Sequence, residues 1–164
     1  PIQFHTGEGG GSRIDFKTLS PIHMVPFLKD KRVLNRVKIV LLHGGHPHEE
    51  DTSFLVSQFE NVYTDFSAMF YLAGVKGRER MAALLERAPL SKVMYGSDGV
   101  MFPEVWWFAH DWFRIQLTGL LNGLVENQYM TAARARKAAR MFLYDNAMNC
   151  YTKLSSRLCQ RQPK

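Results

Sequence analysis

Residues 37–48 read VKIVLLHGGHPH, and the fold turns on how that stretch is taken. From Val37 to Leu42 every residue but Lys38 is apolar, and Val37, Ile39 and Val40 are β-branched. A run of this length closed by Gly44 and Gly45 fits a strand buried on both faces. A buried helix is the alternative, but Gly44, Gly45 and Pro47 stop it too soon. His43, His46 and His48 follow the run. Polar, metal-capable side chains at the carboxyl end of a buried strand sit where α/β proteins place their chemistry. A turn that happens to hold histidines accounts for the same residues.

Upstream, PIQFH (Pro1–His5) is short and mostly apolar, and reads as a strand ending at His5. Gly7–Ser12 holds four glycines and excludes regular structure. It lacks the Lys-Ser/Thr of a phosphate-binding loop, which leaves a loop over a site or a plain linker. Ser20-Pro21 opens a helix with Ser at the N-cap and Pro at N1. Ile22, Val25 and Leu28 form its apolar stripe, and Pro26 is placed to shorten or kink it.

Downstream, Asp51-Thr52 starts a second helix with Phe54, Leu55 and Phe59 on one face. Asn61–Ser67 alternates as a strand should. Gly77–Arg87 is amphipathic, with Met81, Leu84 and Leu85 on its apolar side, and Pro89 ends it. Lys92–Tyr95 is a fourth short strand that delivers Gly96-Ser97-Asp98-Gly99. Val105–Leu124 is a long helix whose Trp106, Trp107, Trp112 and Phe113 read as core. Thr131 caps a helix through Ala132–Arg140, continuing to about Tyr151. Strands alternating with helices predict an α/β fold: a parallel sheet in chain order, right-handed crossovers, and helices on one side.

Composition narrows the classes. A chain of 164 residues, 46% hydrophobic and 22% charged, suits one globular domain with a real core. No apolar run reaches the length of a membrane span, and no signal peptide is visible. A start at Pro1 without Met suggests a processed chain or a fragment. Cys150 and Cys159 form no CxxC motif, so a disulfide framework is not expected and a reducing cytoplasm fits best. The net charge of +6 lies largely in Arg134, Arg136, Lys137, Arg140 and a polar basic tail at 153–164. A solvated helix face and a loose tail explain it without nucleic-acid binding, for which no motif is present.

His5, His43, Asp65 and Asp98 each fall at or just past the carboxyl end of a predicted strand. In a parallel sheet those ends share one face. Two imidazoles and a carboxylate there can bind a borderline cation such as zinc. Such a cation acidifies a bound water, and a neighbouring carboxylate can move the proton. A buried histidine bonded to a carbonyl, and an Asp98-Gly99 turn, explain the same letters.

QFHTG, VLLHGGHP, NVYTDFS, KVMYGSDG and the late YDNA, in that order, resemble the second half of the metal-dependent amidohydrolase barrels. The nearest branch is the one fused to glutamine-synthetase-like proteins, the fungal FluG and plant nodulin-like group. The likeness covers about residues 1–152. It implies a (β/α)₈ TIM-type barrel present as its C-terminal half, these being strands five to eight, and a divalent metal, zinc or alternatively manganese. His5 would be a metal ligand. His43 would bind a second metal or contact the catalytic water and substrate, and Asp98 would be ligand and general base at once. Asp65, Phe102 and Glu104 would lie near a small-molecule substrate. His46 and His48 carry no role and are expected to be loop residues.

The departures are as telling. The His-x-His pair of the family's first strand and the Lys or Glu ligand of its fourth are missing. Four strands cannot close such a barrel and leave two apolar edges. The implied function is half of a hydrolase acting on an amide or related C–N bond, completed by an N-terminal half or by self-association. A decarboxylase on the same site is the close variant, and a non-catalytic lobe that binds a partner is the alternative from another class.

Overall fold

The computed structural model describes residues 1–9, 12, 14–153 and 156. Its centre is a sheet of four strands, β1 (Ile2–Phe4), β2 (Ile39–Leu41), β3 (Val62–Asp65) and β4 (Val93–Met94). They pair in parallel, in chain order. Gln3, Val40 and Tyr63 stand in one row, and Phe4, Leu41 and Thr64 in the next. Successive residues alternate between faces, so each row belongs to one face.

The apolar run quoted above supplies β2, whose three residues are fully buried. Ile39 and Leu41 join Val62 and Val93 in the larger core, against the helices α2 (Glu49–Gln58), α4 (Gly77–Leu85) and α5 (Pro103–Glu126). Leu55, Met81, Leu84, Phe113 and Leu117 are among the helix residues buried there. Each such side chain removed from water contributes about 1.5–3 kcal/mol. Between them come two one-turn helices, α1 (Val25–Leu28) and α3 (Met69–Leu72). Ser20 caps the short 3₁₀ turn before α1 as expected, its hydroxyl accepting from the Ile22 N–H at 3.2 Å. The helix ends after one turn, and Pro26 lies inside it. α2 starts two residues before Asp51, which places Glu49, Glu50 and Asp51 in its positive first turn. This register exposes Phe54.

The expectation of helices on one side fails at the C-terminus. Thr131 caps α6 (Ala132–Arg140), accepting from the Arg134 N–H at 3.2 Å. A π-helical turn over Met141–Asp145 follows, then α7 (Asn146–Cys150). The Phe142 carbonyl accepts the Tyr95 N–H at 2.8 Å. The buried Asn146 amide donates to the Leu90 and Val93 carbonyls, both at 2.7 Å. These bonds pin the chain at β4 and turn it onto the opposite face. There Cys150, Ala147 and Tyr151 cover Val40, Tyr63 and Met94 as a second, smaller core. Arg134, Arg136, Lys137 and Arg140 are exposed on α6.

Two of the three tryptophans are a second departure, whereas Trp112 packs against the larger core as expected. The buried stripe of α5 runs Ala109, Phe113, Leu117, Leu121 at four-residue spacing. Trp107 lies off it and is 70% exposed, while Trp106 precedes it and packs on Gly99, where a Cβ would come within 1.5 Å of the ring. Among the described residues no helix is long and apolar enough to cross a membrane. Gly10, Gly11, Cys159 and most of the tail expected over 153–164 lie outside the described residues.

Candidate functional site

Parallel pairing puts His5, His43, Asp65 and Asp98 at one end of the sheet, just as the strand ends predict. His43 follows β2 inside a tight turn, Leu42–Gly45, in which His43, Gly44 and Gly45 all have positive φ. Gly45 has no substitute there: a Cβ would sit 2.1 Å from the Thr52 hydroxyl oxygen. The left-handed turn aims the His43 ring back across the strand ends instead of letting it continue along β2.

The two histidines meet. His43 Nε2 stands 2.9 Å from His5 Nδ1, with the rings edge to face at 4.6 Å between centroids. On its other side His43 Nδ1 is 2.8 Å from Ser67 Oγ. Ser67 donates in turn to Asp65 Oδ1 at 2.6 Å. That same oxygen accepts the backbone N–H groups of His43 at 2.9 Å and Ser67 at 3.1 Å. His43, Asp65 and Ser67 are all buried, whereas His5 is exposed. Burial holds the His43 pKa below its ordinary value; Asp65 and Asp98 pull it back up, and His5 adds to the lowering. Burial also raises the Asp65 carboxyl, against the hydrogen bonds from Ser67 and His43.

Asp98 reaches the same end of the sheet with φ +51° but does not join the histidines. Its Oδ2 accepts the Tyr71 hydroxyl at 2.5 Å. Burial, and then that bond to Asp98, pushes the Tyr71 phenol up. Among the described residues no three His, Cys, Asp or Glu side chains stand close enough together to hold a metal ion. His5 and His43 are thus in hydrogen-bond contact, while Asp98 is bonded to Tyr71 at the same end of the sheet.

The other candidates sort by burial. Asp65 is buried and accepts from the His43 and Ser67 N–H groups and the Ser67 hydroxyl, which ties it to the His43 turn. Phe102 and Glu104, on the loop after β4 and the first turn of α5, are exposed. His46 lies in the turn before α2, as expected of a loop residue. It is buried, its Nδ1 lies 2.5 Å from Glu49 Oε1, and Arg80 donates to Glu49 Oε2 at 3.2 Å. His48 stands half-buried, 3.9 Å from Asp51. The described part of the glycine loop lies over the site: the Glu8 N–H donates to the His46 carbonyl at 2.6 Å. A Cβ on Gly9 would come within 2.6 Å of His5 Nε2. A cleft of about 630 Å³ among Leu85, Pro89, Leu120 and Tyr129 is lined by none of these residues.

Ser67, Tyr71 and Asn146 were not singled out by sequence reasoning. The available signal was the Asp-x-Ser spacing of Asp65 and Ser67, which allows a side chain to bond its own backbone two residues on. Nothing local marks Tyr71, 27 residues from its partner.

Residues 1–152 match the family model described as Amidohydrolase. The chain belongs to the amidohydrolase family. It is 29% identical over 152 residues to the protein fluG of Emericella nidulans, a match covering 92% of this chain and 17% of that protein. It is also similar to a solved structure from Lactobacillus casei ATCC 334, a protein proposed to be a metal-dependent hydrolase. There the TM-score is 0.83 and the identity 25%, over 94% of this chain and 40% of that one. This member of the amidohydrolase family therefore spans about a sixth of the fungal relative and two fifths of the bacterial one. Its four parallel strands and their helices are of the TIM-barrel type.

Proposed function

We propose that residues 1–152 form the C-terminal half of a metal-dependent hydrolase barrel acting on a small molecule at an amide or related C–N bond. One observation carries the reading: His5 Nδ1 and His43 Nε2 face each other at 2.9 Å across the carboxyl ends of adjacent parallel strands. Two nitrogens on one tetrahedral zinc at about 2.0–2.1 Å stand roughly 3.3–3.4 Å apart. The donor types suit two positions of a divalent centre, zinc or alternatively manganese, once the 2.9 Å hydrogen bond between them opens to that spacing, and among the described residues no third ligand stands beside them. The likeness to the bacterial protein supports dependence on a divalent metal.

His5 and His43 would hold the cation, which supplies Lewis acidity and lowers the pKa of water when bound. Asp98 is the base: with Oδ2 held by Tyr71, Oδ1 takes the proton of the attacking water. Phe102 and Glu104 face the substrate from the β4–α5 loop. The remaining strands come from an N-terminal half or a second lobe that pairs with β1 and β4, each of which has one neighbour in the sheet. A buried free thiol at Cys150 agrees with a reducing cytoplasm. The missing third ligand favours one other reading, a non-catalytic lobe that binds a partner.

The test is to purify residues 1–164 alone and together with a separately expressed N-terminal half-barrel, then measure bound zinc and hydrolysis of an amide library. Weak zinc binding and no turnover alone, with both gained on pairing, is the expected result. Stoichiometric zinc and unaided turnover would overturn the half-site, and no zinc in either preparation would overturn the hydrolase.

A further inference from the structure

The hydrogen-bond order around Asp65 determines where the protons lie. Asp65 Oδ1 receives two backbone N–H groups, from His43 and Ser67. Those donors cannot turn round, so Oδ1 is an acceptor whether or not the other carboxyl oxygen carries a proton. The third group on Oδ1 is Ser67 Oγ at 2.6 Å, and it must donate. A hydroxyl has one proton, so toward His43, at 2.8 Å, Ser67 Oγ can only accept. A neutral His43 therefore carries its proton on Nδ1, and its Nε2 holds a lone pair. The contact from His5 Nδ1 at 2.9 Å then runs as a donation from His5 into that lone pair.

We propose that Ser67, oriented by Asp65, is a positioning residue that fixes the tautomer of His43 so that Nε2 presents its lone pair to the site. The inference goes deeper into the hydrolase reading and rests on it for its purpose, although the tautomer itself does not depend on a metal. Histidine ligands need a partner on the ring nitrogen that does not face the metal, to set tautomer and orientation. Here that partner is a serine hydroxyl, buried and locked by a carboxylate. The consequence is asymmetric. His43 is ready for a cation as it stands, whereas His5 holds its proton on the nitrogen that faces the site. To ligate through Nδ1, His5 must lose that proton to solvent and take one up at Nε2, under Gly9, with no net change in protons.

Long-range proton–nitrogen correlation spectra of histidine-labelled wild type, Ser67→Ala and Ser67→Thr, at neutral pH without metal, test the proposal. The wild type and Ser67→Thr are expected to show His43 protonated on Nδ1 alone. Ser67→Ala is expected to populate the Nε2-protonated tautomer. A wild-type His43 protonated on Nε2 overturns the proposal, and so does a Ser67→Ala protein that keeps the wild-type tautomer. If Ser67→Ala does not fold, the wild-type spectrum still decides. Titration with zinc chloride, followed on the same resonances, judges the hydrolase reading separately. Where zinc binds the wild type, Ser67→Ala should weaken it about 10–100-fold. A wild type with the expected tautomer and no zinc binding, alone or paired with an N-terminal half-barrel, sinks the hydrolase and leaves the role of Ser67 intact.

Discussion

The two sides of the candidate site are built differently. On the β2–β3 side, His43, Ser67 and Asp65 are buried and each is hydrogen-bonded to the next. On the β4 side, Asp98 is exposed and held by a half-exposed Tyr71, and Phe102 and Trp107 further along the chain are exposed too. The two inner strands have neighbours on both edges and helices or chain on both faces, so their ends are fully constrained. β4 has one neighbour, and the side chains beyond it answer to solvent. A site divided in this way keeps one histidine in a single pose and leaves its carboxylate and substrate-side residues free to be placed by whatever covers the open edge.

Substitutions on the buried side should cost most. Leu41→Ala removes a side chain that is completely buried in the larger core, and about 2–5 kcal/mol of stability is expected to go with it. The shift in urea midpoint measures it, and a loss below 1 kcal/mol would mean that the sheet centre is not the anchor described here. Asp65→Ala strands two buried backbone donors and one hydroxyl. It also removes the burial penalty of the carboxylate, so a net loss of about 1–3 kcal/mol is expected.

The buried side should also control the response to acid. Burial lowers the His43 pKa in the fold from its ordinary 6.5, so folding favours the neutral ring. That stability is complete above the unfolded value and is lost as pH falls through the folded one. Asp65 has the opposite sign: its raised pKa gives stability that is present below the ordinary 3.8 and lost as pH rises through the folded value. Stability measured by urea from about pH 7.5 to about pH 5.5 is expected to fall in the wild type. His43→Gln should flatten that dependence, and an unchanged slope would break the assignment.

The open side should be nearly silent. Tyr71→Phe frees the Asp98 carboxylate but removes only a hydroxyl from a half-exposed ring, so about 0.5 kcal/mol or less is expected. Trp107→Ala, at a 70% exposed position, should fall within about ±0.5 kcal/mol by thermal unfolding. A larger loss at Trp107 would show that this face is covered in solution, and would erase the contrast between the two sides.

What could be read without coordinates was what short-range physics controls. The apolar run at β2, the caps at Ser20 and Thr131, and the proline stops depend on residues within a turn of each other. Alternating strands and helices left one simple sheet order. Parallel order alone then carried His5 and His43 to neighbouring strand ends. The tertiary structure decided where side chains point once the regular backbone stops. Positive φ at His43 and Asp98 swings them by an amount that no periodicity encodes. Asp65 is buried where His43 and Ser67 offer it three donors. Asp98 pairs with Tyr71 of α3, 27 residues away in the chain, and the π turn after α6 takes the last helix around β4. Each of these outcomes depends on groups more than a helical turn apart in sequence, whose meeting is set by packing and not by local preference.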